Sequence, residues 1–77
     1  MKQERIPVYS ANALDSSNDE KLGFTVYEIG ERTFKISCGN RRPHSFQSKN
    51  LIDKERVRLE IETAYKAKDV IVEEYHQ

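Results

Sequence analysis

The residue types of a nucleophilic catalyst occur together in this sequence only at Cys38 and His44. A reactive thiol needs an electropositive, partly exposed setting, and Arg41 and Arg42 are the residues that could supply it. Against this, Cys38 falls on the strand face predicted for Phe34, and free cysteine is commonly buried as a small hydrophobe. We therefore expect Cys38 to be structural and assign no catalytic residues.

Basic residues are concentrated between positions 30 and 49. Five cations stand there against the single acid Glu31, namely Arg32, Lys35, Arg41, Arg42 and Lys49. The guanidinium groups could bind phosphates or carboxylates, and His44 and Phe46 could stack on exposed bases. The alternative is a solvated connection in which these charges only keep a loop in water. A binding surface at these positions is thus a hypothesis.

The acidic residues do not indicate carboxylate chemistry. Glu60 and Glu62 diverge on a predicted helix, and Glu73 and Glu74 point to opposite faces of a predicted strand, whereas general acid–base catalysis needs converging carboxylates. The cysteine and histidine spacings do not fit a zinc site, and there is no glycine-rich phosphate loop. We expect neither a metal nor a cofactor, and no enzymatic activity.

Length and composition predict one small domain, spanning residues 1–77. Hydrophobic residues make up 36% of the chain, and 13 basic side chains balance 13 acidic ones. A core of this size is marginal, so assembly as a homodimer is a reasonable expectation. The neutral total weakens a nucleic-acid interpretation, because proteins that neutralise phosphates usually carry a basic excess.

The expected location of the protein follows from three features. Apolar runs are only a few residues long, which predicts no transmembrane span, and the polar residues 1–5 have no apolar segment behind them. A lone cysteine, which cannot form a disulfide within one chain, agrees with a reducing compartment. We expect a soluble cytoplasmic protein without a membrane partner.

The clearest β signal is a pair of runs rich in β-branched and aromatic residues on either side of Gly30. Glycine at the first central position suits a two-residue type II′ turn, which predicts that Tyr27 pairs with Phe34. In that register Phe24 and Val26 lie on the face opposite Phe34 and form an apolar patch that could contact a partner. A register shifted by one residue would instead bring Phe24 and Val26 onto the face of Phe34.

The predicted architecture is a small α+β fold centred on this hairpin, with one helix packed on one face of an antiparallel sheet. Pro7 lacks an N–H, which places the first strand at a sheet edge. The predicted elements are an edge strand at 5–9, a flexible loop at 10–22, the hairpin at 23–38, a short strand at 44–47, a helix at about 53–68 and a strand at about 70–75.

The predicted helix has an N-cap and one apolar stripe. Asp53 is the N-cap residue, and the apolar residues at helical spacing on one side are Val57, Ile61, Ala64 and Tyr65. Leu59 falls about 200° from Val57, since successive residues turn by about 100°. Leu59 is therefore an exposed apolar residue that could contact a partner, although single exposed apolar side chains are common.

Two functional hypotheses remain open. The first is a small non-enzymatic protein that binds another protein, of the regulator, accessory-subunit or inhibitor type that phages and mobile elements often encode. It rests on the limited core, spare apolar area and separated charge. The alternative is nucleic-acid binding by the hairpin and the basic segment at 30–49, with an affinity that falls as salt is added.

Overall fold

The computed structural model describes residues 6–76, which form one antiparallel sheet of five strands and one helix. This architecture confirms the predicted small α+β fold. In chain order the elements are strands β1 (Ile6–Asp15), β2 (Lys21–Gly30), β3 (Thr33–Cys38) and β4 (Arg41–Gln47), helix α1 (Lys54–Tyr65) and strand β5 (Ala67–Glu74). No helix in these residues is long and apolar enough to cross a membrane.

The strands lie in the order β4-β3-β2-β1-β5. The first four therefore form a meander, and β5 returns beside β1 after the chain crosses one sheet face as α1. Buried side chains of that face and of α1 form a single hydrophobic cluster. In the part of the chain that the structure describes, no helix or strand covers the other face, as is common for antiparallel sheets.

The register of the β2–β3 hairpin differs from the predicted one. Val26 pairs with Ile36, and Tyr27 pairs with Lys35. The predicted pairing of Tyr27 with Phe34 is therefore wrong by one residue. Because side chains alternate between faces along a strand, this single step exchanges the buried and exposed sides of one strand relative to the other.

The loop of the hairpin explains the shift. Arg32 has a positive φ of 54°, and the strand register is irregular between Glu28 and Gly30. The last pair is Gly30 with Thr33, so the connection consists of residues 31–32 and lies one position later than the type II′ turn predicted at Gly30 and Glu31. The left-handed position falls on an arginine, a residue type that seldom adopts it, so the sequence does not reveal it.

The observed register moves Phe24 and Val26 into the core, where they are 3% and 0% exposed. The expectation that Phe24 and Val26 form an exposed contact patch is therefore wrong. Both side chains now share a face with Phe34 and Ile36, which is the alternative that a shift of one residue produces. Tyr27 takes the opposite face and is half-buried there.

Helix α1 begins where the sequence predicts. The Asp53 carboxylate accepts a hydrogen bond from the Arg56 backbone N–H at 2.9 Å, which is the expected N-cap contact. Val57 and Ile61 are completely buried, whereas Leu59 is 50% exposed. The predicted apolar stripe is thus confirmed at Val57 and Ile61, whereas Ala64, which was predicted on the same stripe, is exposed.

The helix ends earlier and the last strand begins earlier than predicted. Lys66 adopts a left-handed conformation with φ at 52°, which terminates α1 at Tyr65. The chain then enters β5 at Ala67. A non-glycine residue in this conformation again gives no clear stop signal in the sequence.

Residues 10–22 do not form the predicted flexible loop. Strand β1 continues to Asp15 and β2 starts at Lys21, so only residues 16–20 connect the two strands. The polar and small residues of β1 have little intrinsic preference for strand. Pairing with β2 on one side and β5 on the other satisfies their backbone groups and overrides that preference.

Pro7 lies in an interior strand rather than at the predicted sheet edge. Pairing between β1 and β5 extends only as far as Tyr9, and the β1–β2 register shifts between Pro7 and Tyr9. The missing N–H of Pro7 therefore falls where β1 has no β5 neighbour. Arg5, the first residue of the predicted strand, lies outside the described residues.

Strand β4 is longer than the short strand predicted at 44–47, because it begins at Arg41. Pro43 does not prevent this. Since β4 is an edge strand, the N–H that Pro43 lacks is not needed by a second neighbour.

The core assignment gives a direct test of stability. Ile61→Ala should lower the free energy of unfolding by about 2–5 kcal/mol, because it leaves a cavity between helix and sheet, and Ile61→Val by about 0.5–1.5 kcal/mol. Leu59→Ala, on the same helix, should change it by less than about 0.5 kcal/mol. Urea denaturation followed by circular dichroism measures all three, and similar losses for Ile61→Ala and Leu59→Ala would contradict this packing.

Candidate functional site

The basic residues predicted as one binding surface lie at different places on the sheet. Arg32 and Lys49 lie at the end that carries the β2–β3 turn, whereas Arg41 and Arg42 begin β4 at the opposite end. Lys35 lies between them on β3, on the face turned away from the helix. The fold therefore divides these charges rather than gathering them.

Arg41 forms ion pairs that fix the β1–β2 connection. Its guanidinium lies 3.0 Å from the Asp15 carboxylate and 3.8 Å from that of Glu20. The Asp15 carboxylate also accepts hydrogen bonds from the hydroxyl and the backbone N–H of Ser17, and these bonds together with Arg41 lower the pKa of Asp15. We interpret Arg41 as a structural cation that holds the turn against the sheet.

Cys38 and His44 do not form a catalytic pair. Cys38 is buried, as predicted, and burial raises the pKa of its thiol even though the charge of Arg41 acts in the other direction. The thiol is therefore held in its unreactive protonated form. The His44 imidazole instead contacts the Glu60 carboxylate of α1 at 2.9 Å.

The ring of Phe46 is enclosed by protein. It is buried, stacks on Phe34 with the ring centroids 5.6 Å apart, and lies beneath the Arg56 guanidinium at 5.1 Å. Arg56 is in turn held by Glu60, with the two charged groups 2.9 Å apart. Stacking of Phe46 on an exposed base would require this arrangement to open, so Phe46 and His44 are better explained as contacts between β4 and α1.

Glu60 is the centre of these contacts. Partial burial disfavours its charged form, but hydrogen bonds from His44 and Arg56, together with their charges, outweigh that effect and lower the pKa of Glu60. The carboxylate thus stabilises the docking of the helix on β4.

A cleft of about 360 Å³ opens at the sheet end that carries the β2–β3 turn, and we call it the terminal cleft. The hydrophobic and aromatic part of its lining consists of Val8, Tyr9, Phe34, Leu51 and Ile52. The charged part consists of Glu28, Arg32, Lys49 and Glu74, and Asn50 completes it. A volume of this size falls within the range of about 300–1,000 Å³ that is usual for binding clefts.

Leu51 is completely exposed beside this cleft, at 100% of its accessible surface. The segment that carries it is nevertheless held on both sides. The Ser48 N–H donates to the Arg32 carbonyl at 3.0 Å, and the Tyr9 hydroxyl donates to the Ile52 carbonyl at 3.3 Å. The leucine is therefore presented to solvent by an anchored backbone.

Sequence reasoning missed Leu51, although a signal was present. Ile52 directly precedes the N-cap Asp53, and an apolar residue at that position often packs against the fourth helical residue, here Val57. Ile52 does pack against the core that contains Val57. This capping pattern accounts for Ile52 but not for its neighbour Leu51, which is a contact candidate because it stands exposed next to the apolar lining of the terminal cleft.

The charges of the terminal cleft are unpaired within residues 6–76. Arg32, Lys49, Glu28 and Glu74 form no ion pair with any residue of that range. Burial, followed by the negative charges of Glu74 and the N-cap carboxylate, raises the pKa of Tyr9. The Tyr9 hydroxyl therefore stays a neutral donor to the Ile52 carbonyl in the lining of the cleft.

Leu59 and Ile71 are also exposed, at 50% and 63%, but neither lines the terminal cleft. Leu59 lies on the side of α1 away from the core, and Ile71 lies on the edge strand β5. Single exposed apolar residues are common on protein surfaces. Ile71 lines a separate cleft of about 340 Å³ together with the apolar residues Ala13, Leu14 and Leu22. Leu51 differs from Leu59 and Ile71 in its complete exposure.

Within residues 6–76, no three histidine, cysteine, aspartate or glutamate side chains come together in an arrangement that could hold a metal ion. The chain matches no protein-family model, no curated protein and no solved structure. The terminal cleft is consequently the candidate site on its geometry alone.

The role of Glu60 predicts a pH-dependent stability. Glu60→Gln should lower the free energy of unfolding near neutral pH by about 1–2 kcal/mol, the order of a hydrogen bond to a charged group. Because the folded-state pKa is lowered, this contribution is complete above the unfolded-state pKa and is lost as the pH falls through the folded value. Urea titrations at about pH 7 and about pH 3 should show the difference from wild type shrinking at the lower pH.

Glu62→Gln is the matched control, since it removes the same charge from the same helix. It should change stability by less than about 0.5 kcal/mol at neutral pH. Equal effects of the two substitutions, or a Glu60→Gln difference that persists unchanged at about pH 3, would contradict the stabilising role of Glu60.

Proposed function

We propose that this protein is a small non-enzymatic binding protein that contacts another protein through the terminal cleft. The observation that carries the proposal is the fully exposed Leu51, held on an anchored segment beside a cleft with apolar lining. Exposing a large apolar side chain to water is unfavourable, and burial in an interface would recover about 25 cal/mol for each Å² covered.

The composition of the cleft supports a protein partner. Protein interfaces commonly have an apolar centre and a polar rim. The apolar centre here includes Val8, Phe34 and Ile52, and charged side chains line the same cleft. The hydrogen bonds at Ser48 and Ile52 order the segment before binding, which reduces the entropy lost when a partner docks.

The remaining reactive groups support a non-enzymatic role. The thiol of Cys38 is buried, and His44, Arg41 and Arg56 are engaged in structural contacts. A regulator, accessory subunit or inhibitor that acts in the cytoplasm fits these features, and the unpaired cysteine agrees with a reducing compartment.

Leu51→Glu should abolish partner binding, and Leu59→Glu should not. Both substitutions place a carboxylate at an exposed leucine, so their effects on folding should be small and similar. Affinity capture from native lysate, with and without nuclease and followed by mass spectrometry, should recover a protein whose yield falls about tenfold or more with Leu51→Glu, equivalent to at least about 1.4 kcal/mol.

Three results of this experiment would contradict the proposal. Recovery unchanged by Leu51→Glu would remove the terminal cleft from the interface. Loss only with Leu59→Glu would place the interface on the outer side of α1. Recovery that disappears with nuclease and falls steeply with added salt would instead indicate nucleic-acid binding.

A further inference from the structure

We infer that the terminal cleft binds an extended peptide segment in which one large apolar side chain stands between an acidic and a basic residue, each two positions away. This inference rests on the proposed function and specifies the chemistry of the partner. It follows from the apolar lining, the placement of the unpaired charges and the spacing of the strands that carry them.

The apolar part of the cleft favours a single large side chain. Val8 and Phe34 come from the sheet and Ile52 from the segment before α1, so apolar groups enclose the cleft from two directions. The volume of about 360 Å³ is at the small end of the range for ligand clefts. Leu51 can cover an inserted aromatic or aliphatic group from outside.

The charges of the cleft form two poles. Arg32 and Lys49 stand on the side of β3 and β4, where the Ser48 N–H joins their two segments at the Arg32 carbonyl. Glu74 stands on β5, beyond both β2 and β1 in the sheet order. Glu28 lies between them on β2 and disfavours an acid at the centre, which is the position that the apolar group fills.

Strand spacing sets the distance between the poles. From β3 to β5 there are three inter-strand steps of about 4.8 Å each, which gives about 14 Å. An extended chain rises about 3.3 Å for each residue, so it covers this distance in about four residues. Residues i, i+2 and i+4 of such a chain point to the same side. An acid and a base four positions apart can thus meet the two poles while the residue between them enters the cleft.

Charge complementarity selects the two flanking residues. The cations of the cleft would pair with an acidic residue, and Glu74 with a basic one, and none of these groups has an ion-pair partner in residues 6–76. Exposed pairs of this kind contribute about 0.2–1 kcal/mol each, so they adjust specificity more than affinity. The apolar side chain supplies most of the binding.

Synthetic peptides test this directly. The probe is a capped nine-residue peptide with Glu, Phe and Lys at alternate positions and Gly or Ser elsewhere. Titration monitored by ¹⁵N amide shifts of the full-length protein should move the resonances of the terminal cleft. Peptides with Glu at both flanks, or Lys at both, should bind about two- to fivefold more weakly, since each loses one exposed ion pair. Replacing the central Phe by Ala should abolish binding.

A charge reversal in the protein is the matched test. The double variant Arg32→Glu, Lys49→Glu should prefer the peptide with Lys at both flanks over the mixed peptide. Lys35→Glu, which changes a cation on the far sheet face, should keep the wild-type preference. Amide spectra of the free variants verify that each is folded before titration.

The outcomes separate this inference from the proposed function. Equal binding of all Phe peptides, or no Phe peptide binding while capture still depends on Leu51, overturns the inference and leaves the proposed function standing. Self-association of the free protein that Leu51→Glu abolishes identifies a second copy as the occupant and also overturns it. Capture that does not depend on Leu51 overturns the proposed function itself.

Discussion

The fold depends on the register in which strands β2 and β3 pair. Pairing of Val26 with Ile36 places both side chains under Val57 and Ile61 of the helix, and these four are the largest completely buried side chains of the described residues. A shift of one residue would turn Phe24 and Val26 outward while Ile36 stayed inside, and the core beneath the helix would lose both side chains. In a domain of this size, that loss approaches the total stability. The left-handed conformation at Arg32 is therefore a central structural constraint.

The sequence predicts which segments form the helix and the strands better than it predicts how the strands pair. Local signals are sufficient for α1, since Asp53 caps it and Val57 and Ile61 repeat at helical spacing. The β2–β3 register was missed because it depends on a residue that adopts a positive φ without being glycine. The extent of β1 was missed because its strand state comes from two distant partners, β2 and β5, rather than from its own composition.

The candidate site shows the same limit. The basic residues predicted as a binding surface are close in sequence, but antiparallel pairing separates them in the fold. Ion pairs engage Arg41 and His44, and Phe46 is packed against Phe34. The terminal cleft instead joins positions as distant in the chain as Val8, Leu51 and Glu74. Such a site exists only once β5 has returned beside β1. Predicting this cleft from the sequence would first require a correct prediction of the sheet topology.

The register of the β2–β3 hairpin can be measured directly by nuclear Overhauser contacts between the backbones of the two strands in the isotope-labelled protein. In the observed register, cross-strand contacts should pair Thr25 with Ser37, Val26 with Ile36 and Tyr27 with Lys35. Contacts that pair Tyr27 with Phe34 and Thr25 with Ile36 would contradict it. The core beneath α1 and the terminal cleft would then both have to be reassigned.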